Sequence, residues 1–364
     1  MGPPRHLGLI PPSDAEHIPW PVPFADGIEV LRGLKGRRVA VLVSGDPFWF
    51  GAGSAISTAF PGQWRALPGV SIFARVAAQM GWALQDVPCL GLHAAPLART
   101  RPHLSPGARL IVTLRDGAAV SALADYLRDV GFGDTTLTIC EAMGGPRETV
   151  TRASVAEALK GGFDHPVAVA IEVAGNGAVL PRTSGLPDAL FQTDGVMTKR
   201  ALRAITLSAL APRAGEHLWD IGGGSGSIAA EWMLAHPACT ATTIEPRADR
   251  CALIRANADA LGVDRMTVIK GHAPEVLPTL PAPDAVFVGG GLNDALRAAL
   301  WEVIPAGTRV VANAVTLETE ALLVAAQAHL GGDLTRIELS TSAPMGSKRG
   351  WKAAYPVIQW SVTR

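Results

Sequence analysis

Cysteine is scarce in this chain: Cys89, Cys140, Cys239 and Cys251 are the only four in 364 residues. Their spacing fits neither a metal-ligand set nor a disulfide framework, and no metal is expected. Such cysteines suit a reducing compartment, where a buried thiol packs as a small hydrophobe. Net charge is missing as well, because 32 basic side chains cancel 32 acidic ones. That balance argues against a general nucleic-acid or membrane-surface binder, so neither partner is expected. No apolar run is long enough to cross a bilayer and no signal peptide is legible, so the expected location is cytoplasmic. What the chain does have is core-forming material, 48% hydrophobic against 18% charged. At roughly 150 residues per domain, its length implies two domains, each able to bury a core.

The most informative stretch is His217-Leu218-Trp219-Asp220-Ile221-Gly222-Gly223-Gly224-Ser225-Gly226-Ser227. It reads as a short buried strand over 218–221, a glycine turn, and a helix beginning near Ser227. Gly222, Gly224 and Gly226 let the main chain turn with no Cβ in the way. A ligand can then rest on bare backbone at the carboxyl end of a strand, where open α/β sheets place their sites. A glycine-rich turn also serves nicotinamide enzymes. Three details favour S-adenosylmethionine (AdoMet). Asp220 precedes the glycines and can meet a cationic methionyl amine directly or through water. Glu245 ends the next strand, Ala241 to Ile244, roughly 20 residues on, where a carboxylate can take both ribose hydroxyls. Gly271-His272-Ala273 follows a third strand and suits an adenine edge.

Elsewhere strand and helix patterns alternate, so the class is α/β. Arg38 to Val43 reads as the first strand, running into Ser44-Gly45-Asp46-Pro47, a tight turn with a carboxylate at its centre. Pro68-Gly69-Val70-Ser71 is a second such turn, leading into a helix. Strands are predicted at Leu110–Leu114, Leu137–Glu141 and Val167–Val173, with a helix from Ala118 to Val130. A breaker-rich stretch follows. It sets a first domain at 1–174, a linker at 175–190 and a second domain at 191–364. Thr193 or Asp194 can cap the next helix. Further strands are predicted near 284–288, 308–313, 337–340 and 355–360. The residues Met345 to Lys352 between the last two read as a basic loop.

These motifs resemble two known families joined in one chain. Ser44-Gly45-Asp46-Pro47, Pro68-Gly69-Val70-Ser71 and Glu141-Ala142-Met143-Gly144-Gly145-Pro146-Arg147-Glu148 resemble the tetrapyrrole methylases. Phe191-Gln192-Thr193-Asp194-Gly195-Val196-Met197-Thr198-Lys199-Arg200, the glycine turn, Glu245-Pro246 and Gly271-His272-Ala273-Pro274-Glu275 resemble the class I decarboxylating C15-methyltransferases. The resemblance spans nearly the whole chain, and this domain order is that of the fused corrin-pathway C-methyltransferases. It implies AdoMet-dependent methylation of precorrin-6Y at C5 and C15, with decarboxylation of the ring-C acetate to give precorrin-8 in cobalamin biosynthesis. It implies an N-terminal tetrapyrrole-methylase domain, a C-terminal Rossmann-like class I domain and a homo-oligomer. It also places Ser44, Gly45 and Asp46 at a methyl-transfer cleft, Asp46 being the one catalytic candidate. Cofactor contacts are expected from Thr198, Asp220, Gly222, Gly223, Gly224, Ser225, Gly226, Glu245, Gly271, His272 and Ala273. A catalytic triad is not expected.

A corrinoid substrate carries acetate and propionate arms, so cationic anchors are expected. Lys199 and Arg203, spaced to share a helix face, are the leading candidates with Lys348; Arg200, Arg349 and Lys352 are others. Each also reads as a solvated surface charge. Tetrapyrrole methylases open with a strand and a G-x-G-x-G turn, which this chain does not show. Its first domain is therefore expected to lack that strand. C15 methylation with decarboxylation is then expected to proceed, with C5 methylation weak or absent. Alternative readings are an N-terminal half that only docks or presents substrate, a nucleic-acid methyltransferase, and a nicotinamide oxidoreductase.

Overall fold

The structure, a computed structural model, describes residues 1–364 in two compact units. The first comprises Met1–Ala95 and Ser105–Gly177; the second comprises Pro96–Leu104 and Ala178–Arg364. Pro96–Leu104 thus belongs with the second unit, although it precedes most strands of the first. It is held there by Arg99, whose guanidinium makes a two-pronged pair with Asp264, at 2.8 and 3.0 Å.

The first unit is built on five strands: β1 (Cys89–Gly91), β2 (Arg109–Leu114), β3 (Thr136–Glu141), β4 (Thr149–Ser154) and β5 (Val167–Glu172). They lie in the order β1-β2-β5-β3-β4, with only β1 and β2 parallel. The helix Ala118–Asp129 buries Val120, Leu123, Ala124 and Leu127, spaced for one helical face. Ser71 caps the helix Ile72–Met80 by accepting from the Ala74 N–H at 3.1 Å. That helix packs Phe73, Val76 and Ala77 against Ile111, Cys140, Ala168 and Ala170.

The strand expected over 38–43 does not form. The segment runs without a ladder; the Met1 ammonium donates to the Ala40 carbonyl (2.8 Å) and the Leu42 N–H to the Met1 carbonyl (2.9 Å). Val39, Val41 and Val43 have strand propensity, but a strand is stabilised by its cross-strand neighbours, and here there are none.

The second unit holds β6 (His217–Ile221), β7 (Thr240–Glu245), β8 (Thr267–Lys270), β9 (Ala285–Val288), β10 (Arg309–Ala314), β11 (Asp333–Ile337), β12 (Ser340–Met345), β13 (Lys348–Ala353) and β14 (Val357–Thr363). Seven of them form one sheet, ordered β11-β14-β10-β9-β6-β7-β8, in which β14 runs antiparallel to both neighbours. The chain leaves β6 toward β7 and β8, then returns to the other side through β9 and β10. Its loops part at the carboxyl end of β6, the switch point of a doubly wound sheet. One face is covered by a core that includes Leu207, Leu210, Trp232 and Ile254. The other is covered by a core that includes Leu300, Leu323 and Trp360.

Two further expectations change. Met345 to Lys352 is not a loop but the turn and second arm of the β12–β13 hairpin, with Met345 opposite Lys348. The helix Arg200–Leu210 is not capped by Thr193 or Asp194, which instead bond the N–H groups of Gly195 and Val196, both at 3.1 Å. Asp188 accepts from the Arg200 N–H at 3.0 Å.

Packing at the glycine turn gives a test. A Cβ at Gly223 would overlap the Thr243 methyl on β7 and stand 3.2 Å from Ile254 Cδ1. Gly223→Ala is expected to destabilise the second unit by about 1–3 kcal/mol, the usual cost of overpacking, read as a lower urea midpoint.

Candidate active site

A cavity of about 660 Å³ opens at the carboxyl ends of β6, β7 and β9. The glycine turn makes its floor. Among the residues expected at the cofactor, Thr198, Asp220, Gly222, Gly223, Gly224, Ser225, Glu245, Gly271, His272 and Ala273 all line it. Gly226 does not; it has φ +73° and abuts Ile254, 2.8 Å from where its Cβ would be. Its role is to let the helix Ser227–Ala235 start against the core. Gly224 is the opposite case. With φ +57°, its missing Cβ would meet no atom nearer than 3.7 Å, so a side chain there would project into the cavity.

Asp220 is 1% exposed, and neither carboxylate oxygen has a hydrogen-bond partner. Burial pushes its pKa up to about 7; the Ala229 backbone N–H opposes that rise, and the nearby charge of Glu245 adds to it. An ionised carboxylate so poorly supplied with donors is costly in such a place. A cationic ligand group would relieve that cost, and the methionyl ammonium of AdoMet is one. Glu245 is also buried, at 2% exposure. One oxygen accepts from the Gly224 N–H and the other from the Arg247 N–H, both at 3.1 Å. A carboxylate has about four acceptor positions, which leaves capacity for ribose hydroxyls. The residues present therefore fit AdoMet.

The opposite wall is Val196, Met197 and Thr198, with Arg250 beside them. Arg250 donates to Asp194 at 2.8 Å, fixing the base of that wall to the helix Ala248–Ala260. From the same helix, buried Asn257 accepts from the Gln192 N–H and donates to the carbonyls of Gln192 and Ser225, all within 2.9 Å. Gly289–Gly291, not among the residues expected at the cofactor, closes the β9 side of the cavity. A glycine run directly after a central strand was the available signal.

The expected substrate anchors separate. Arg203 is removed from them: its side chain is 0% exposed. It donates to Glu231 (2.7 Å), Asp188 (2.8 Å), the Thr198 carbonyl (2.6 Å) and the Leu186 carbonyl. Its guanidinium also lies 4.8 Å from the Phe191 ring centre. All three guanidinium nitrogens donate inside the protein, so Arg203 holds Thr198 in place rather than meeting a substrate arm. Glu231, at 5% exposure, completes the cluster by accepting from the N–H groups of Gly185 and Leu186. Lys199 is exposed at the helix start next to Thr198. Lys348 is exposed at the β12–β13 turn and does not line the cavity.

A second cavity, of about 700 Å³, lies in the first unit and is lined by Ser44, Gly45 and Asp46. The two motif turns meet there, since the Gly69 N–H donates to the Gly45 carbonyl at 3.1 Å. Asp46 accepts from the Phe48 N–H at 2.8 Å, so one of its oxygens stabilises its own turn. Ser44 accepts from Arg5 at 3.0 Å and contacts His6 Nε2 at 3.1 Å.

A doubly wound sheet whose central strand ends in an orphaned carboxylate and a glycine floor defines a class I AdoMet-dependent methyltransferase, here preceded by a second α/β domain. Residues 189–364 match the precorrin methyltransferase domain family, and residues 28–159 match the tetrapyrrole (corrin/porphyrin) methylases. The chain is 47% identical to the precorrin-6Y C(5,15)-methyltransferase (decarboxylating) of Sinorhizobium sp, across 99% of this chain and 88% of that one. It is 37% identical to the Mycobacterium tuberculosis protein of the same name, across 99% and 91%. The solved C-terminal domain of precorrin-6Y C5,15-methyltransferase from Rhodobacter capsulatus is 52% identical, with a TM-score of 0.50, covering 51% of this chain and 100% of that one. The chain belongs to the precorrin-6Y C5,15-methyltransferases (decarboxylating), AdoMet-dependent enzymes of cobalamin biosynthesis. That membership sets aside the nucleic-acid and nicotinamide readings.

Two tests follow from the geometry. Glu231→Ala removes the buried partner of Arg203, leaving it only the half-exposed Asp188 carboxylate, and strips the Gly185 and Leu186 N–H groups of their acceptor, so it is expected to cost about 3–5 kcal/mol in chemical denaturation. The sign for Asp220 runs opposite to that of a paired carboxylate. Its folded pKa, about 7, lies above the unfolded value of about 3.9. Its contribution to stability is therefore fully present below pH 4 and is lost as pH rises through 7. Binding goes the other way, because the ionised form holds a cation. Wild-type AdoMet affinity measured by calorimetry is expected to rise from pH 6 to pH 8. Asp220→Asn is expected to flatten that rise, bind weakly, and be more stable than wild type at pH 8.

Proposed function

We propose that the two cavities divide the chemistry, each with its own AdoMet. In the second unit, Asp220 holds the methionyl ammonium, Glu245 the ribose hydroxyls and Gly271–Ala273 the adenine edge, while Gly222–Ser225 supply a floor of main chain. This cavity then performs C15 methylation and decarboxylation of the ring-C acetate, giving precorrin-8. In the first unit, the Ser44–Asp46 turn borders the C5 site. The single observation that carries the reading is the buried, unpartnered Asp220 carboxylate facing the glycine floor.

AdoMet, when bound, supplies a methyl group already activated by a sulfonium. A meso carbon conjugated with the ring nitrogens is itself an enamine-like nucleophile. The protein's part is accordingly alignment and exclusion of water. The Val196–Thr198 wall, held by Arg203, Asn257 and the Asp194–Arg250 pair, keeps the cavity narrow beside the reacting groups. For decarboxylation, electrons pass into the substrate's own imine system, so the chain needs only to orient the acetate. Lys199, exposed beside Thr198, is placed to meet a carboxylate arm.

A second reading keeps C15 chemistry in the second unit and makes the first unit a substrate-presenting module. One observation favours it: Val41, Leu42 and Val43 wall the N-terminal cavity, yet their segment joins no sheet. Equilibrium dialysis and product mass spectrometry separate the two. Two AdoMet per chain, falling to one in Asp220→Asn, with that variant still adding the C5 methyl and no longer releasing CO2, is the expected result. One AdoMet per chain in wild type, with no C5 methyl, would establish the presenting module instead.

A further inference from the structure

We infer that the N-terminal cavity contains an anion subsite, formed by the guanidinium groups of Arg5 and Arg75, that holds carboxylate arms of the tetrapyrrole substrate. The inference rests on the proposal that this cavity is the C5 site. It begins with charge. Arg5, Arg75, His6, His93 and His165 line the cavity against a single carboxylate, Asp46. Neither arginine is neutralised: Arg5 donates only to the Ser44 hydroxyl, and the Arg75 guanidinium has no hydrogen-bond or ion-pair partner. Arg75 is nonetheless placed. It lies against the Gly144 backbone, so closely that a Cβ there would stand 2.7 Å from its Cζ. The C-terminal cavity has the opposite balance, with Asp220, Glu245 and Glu275 against Arg250. A cationic cofactor suits that second lining; two unpaired guanidiniums call for an anion.

The walls indicate what the anion is attached to. Trp49 stacks on Phe73 at 5.5 Å between ring centres, and Phe50 meets the same ring at 5.6 Å. Trp20 stacks on Phe24 at 4.9 Å on the other side. Phe24, Trp49 and Phe50 remain 46%, 40% and 50% exposed, so apolar surface faces the cavity uncovered. A flat macrocycle edged with acetates and propionates matches both features, its ring against the aromatics and its arms on the arginines. Burial, and next the Arg5 charge, lower the His6 pKa against a raising hydrogen bond with the Leu42 backbone, which favours the neutral imidazole. His6 and Ser44 thus orient the Arg5 guanidinium, which supplies the charge.

The test uses the full chain. Arg5→Gln with Arg75→Gln is expected to raise the precorrin KM for C5 methylation about tenfold or more, the scale of a lost charge-assisted contact. Turnover should change far less, and AdoMet affinity should hold. Tryptophan quenching by a porphyrin octacarboxylate should weaken by a similar factor, while its octamethyl ester should bind wild type and variant alike. Lysine at both positions should restore much of the loss. An unchanged KM, or equal weakening for acid and ester, overturns the subsite. Ultraviolet cross-linking of tritiated AdoMet identifies which idea has failed. Label on the peptide bearing Ser44–Asp46 with an unchanged KM rejects the subsite alone. Label confined to the C-terminal unit rejects the C5 site, and the subsite with it.

Discussion

Bare main chain between β6 and the helix Ser227–Ala235 is the constraint on which the catalytic unit depends. The sheet and helix can approach there only because Gly223 presents no Cβ to Thr243 and Gly226 none to Ile254. On the cavity side the same turn leaves Gly224 uncovered, so one run of glycines satisfies packing below and ligand access above. Asp220 is buried by that close approach. Its orphaned carboxylate is a consequence of building a site at the switch point, where the strand must end beneath the turn.

The facing wall is held by polar groups taken out of water. Arg203 and Glu231 bond to each other and to the backbone of Gly185, Leu186 and Thr198, joining the 178–191 stretch to two helices. Asn257 ties Gln192 to Ser225 in the same way. Such clusters contribute little net stability against an apolar replacement, but breaking one partner is costly. Their effect is to allow one position for Val196–Thr198, which a methyl transfer governed by alignment requires.

The elements that were legible share one property: their signal is local. Short apolar runs marked β2, β3 and β5, the strand–helix alternation marked the helix Ala118–Asp129, and glycine placement marked the turn after β6. Where the outcome depended on a partner, local pattern misled. Val39, Val41 and Val43 look like a strand but meet no neighbour to pair with. Lys348 to Lys352 look like a loop but pair with Thr341 to Met345. Arg203 looks like a surface cation until Glu231, 28 residues away, buries it.

The sequence by itself determined the alternation of strand and helix, the glycine floor and the two carboxylates that flank it, because backbone freedom and side-chain period are properties of neighbouring residues. Only the tertiary structure decided which charges are buried, that Pro96–Leu104 joins the second unit through Arg99 and Asp264, and which residues close the cavity. Those outcomes turn on desolvation and on partners between 28 and 165 residues away, which no local pattern encodes.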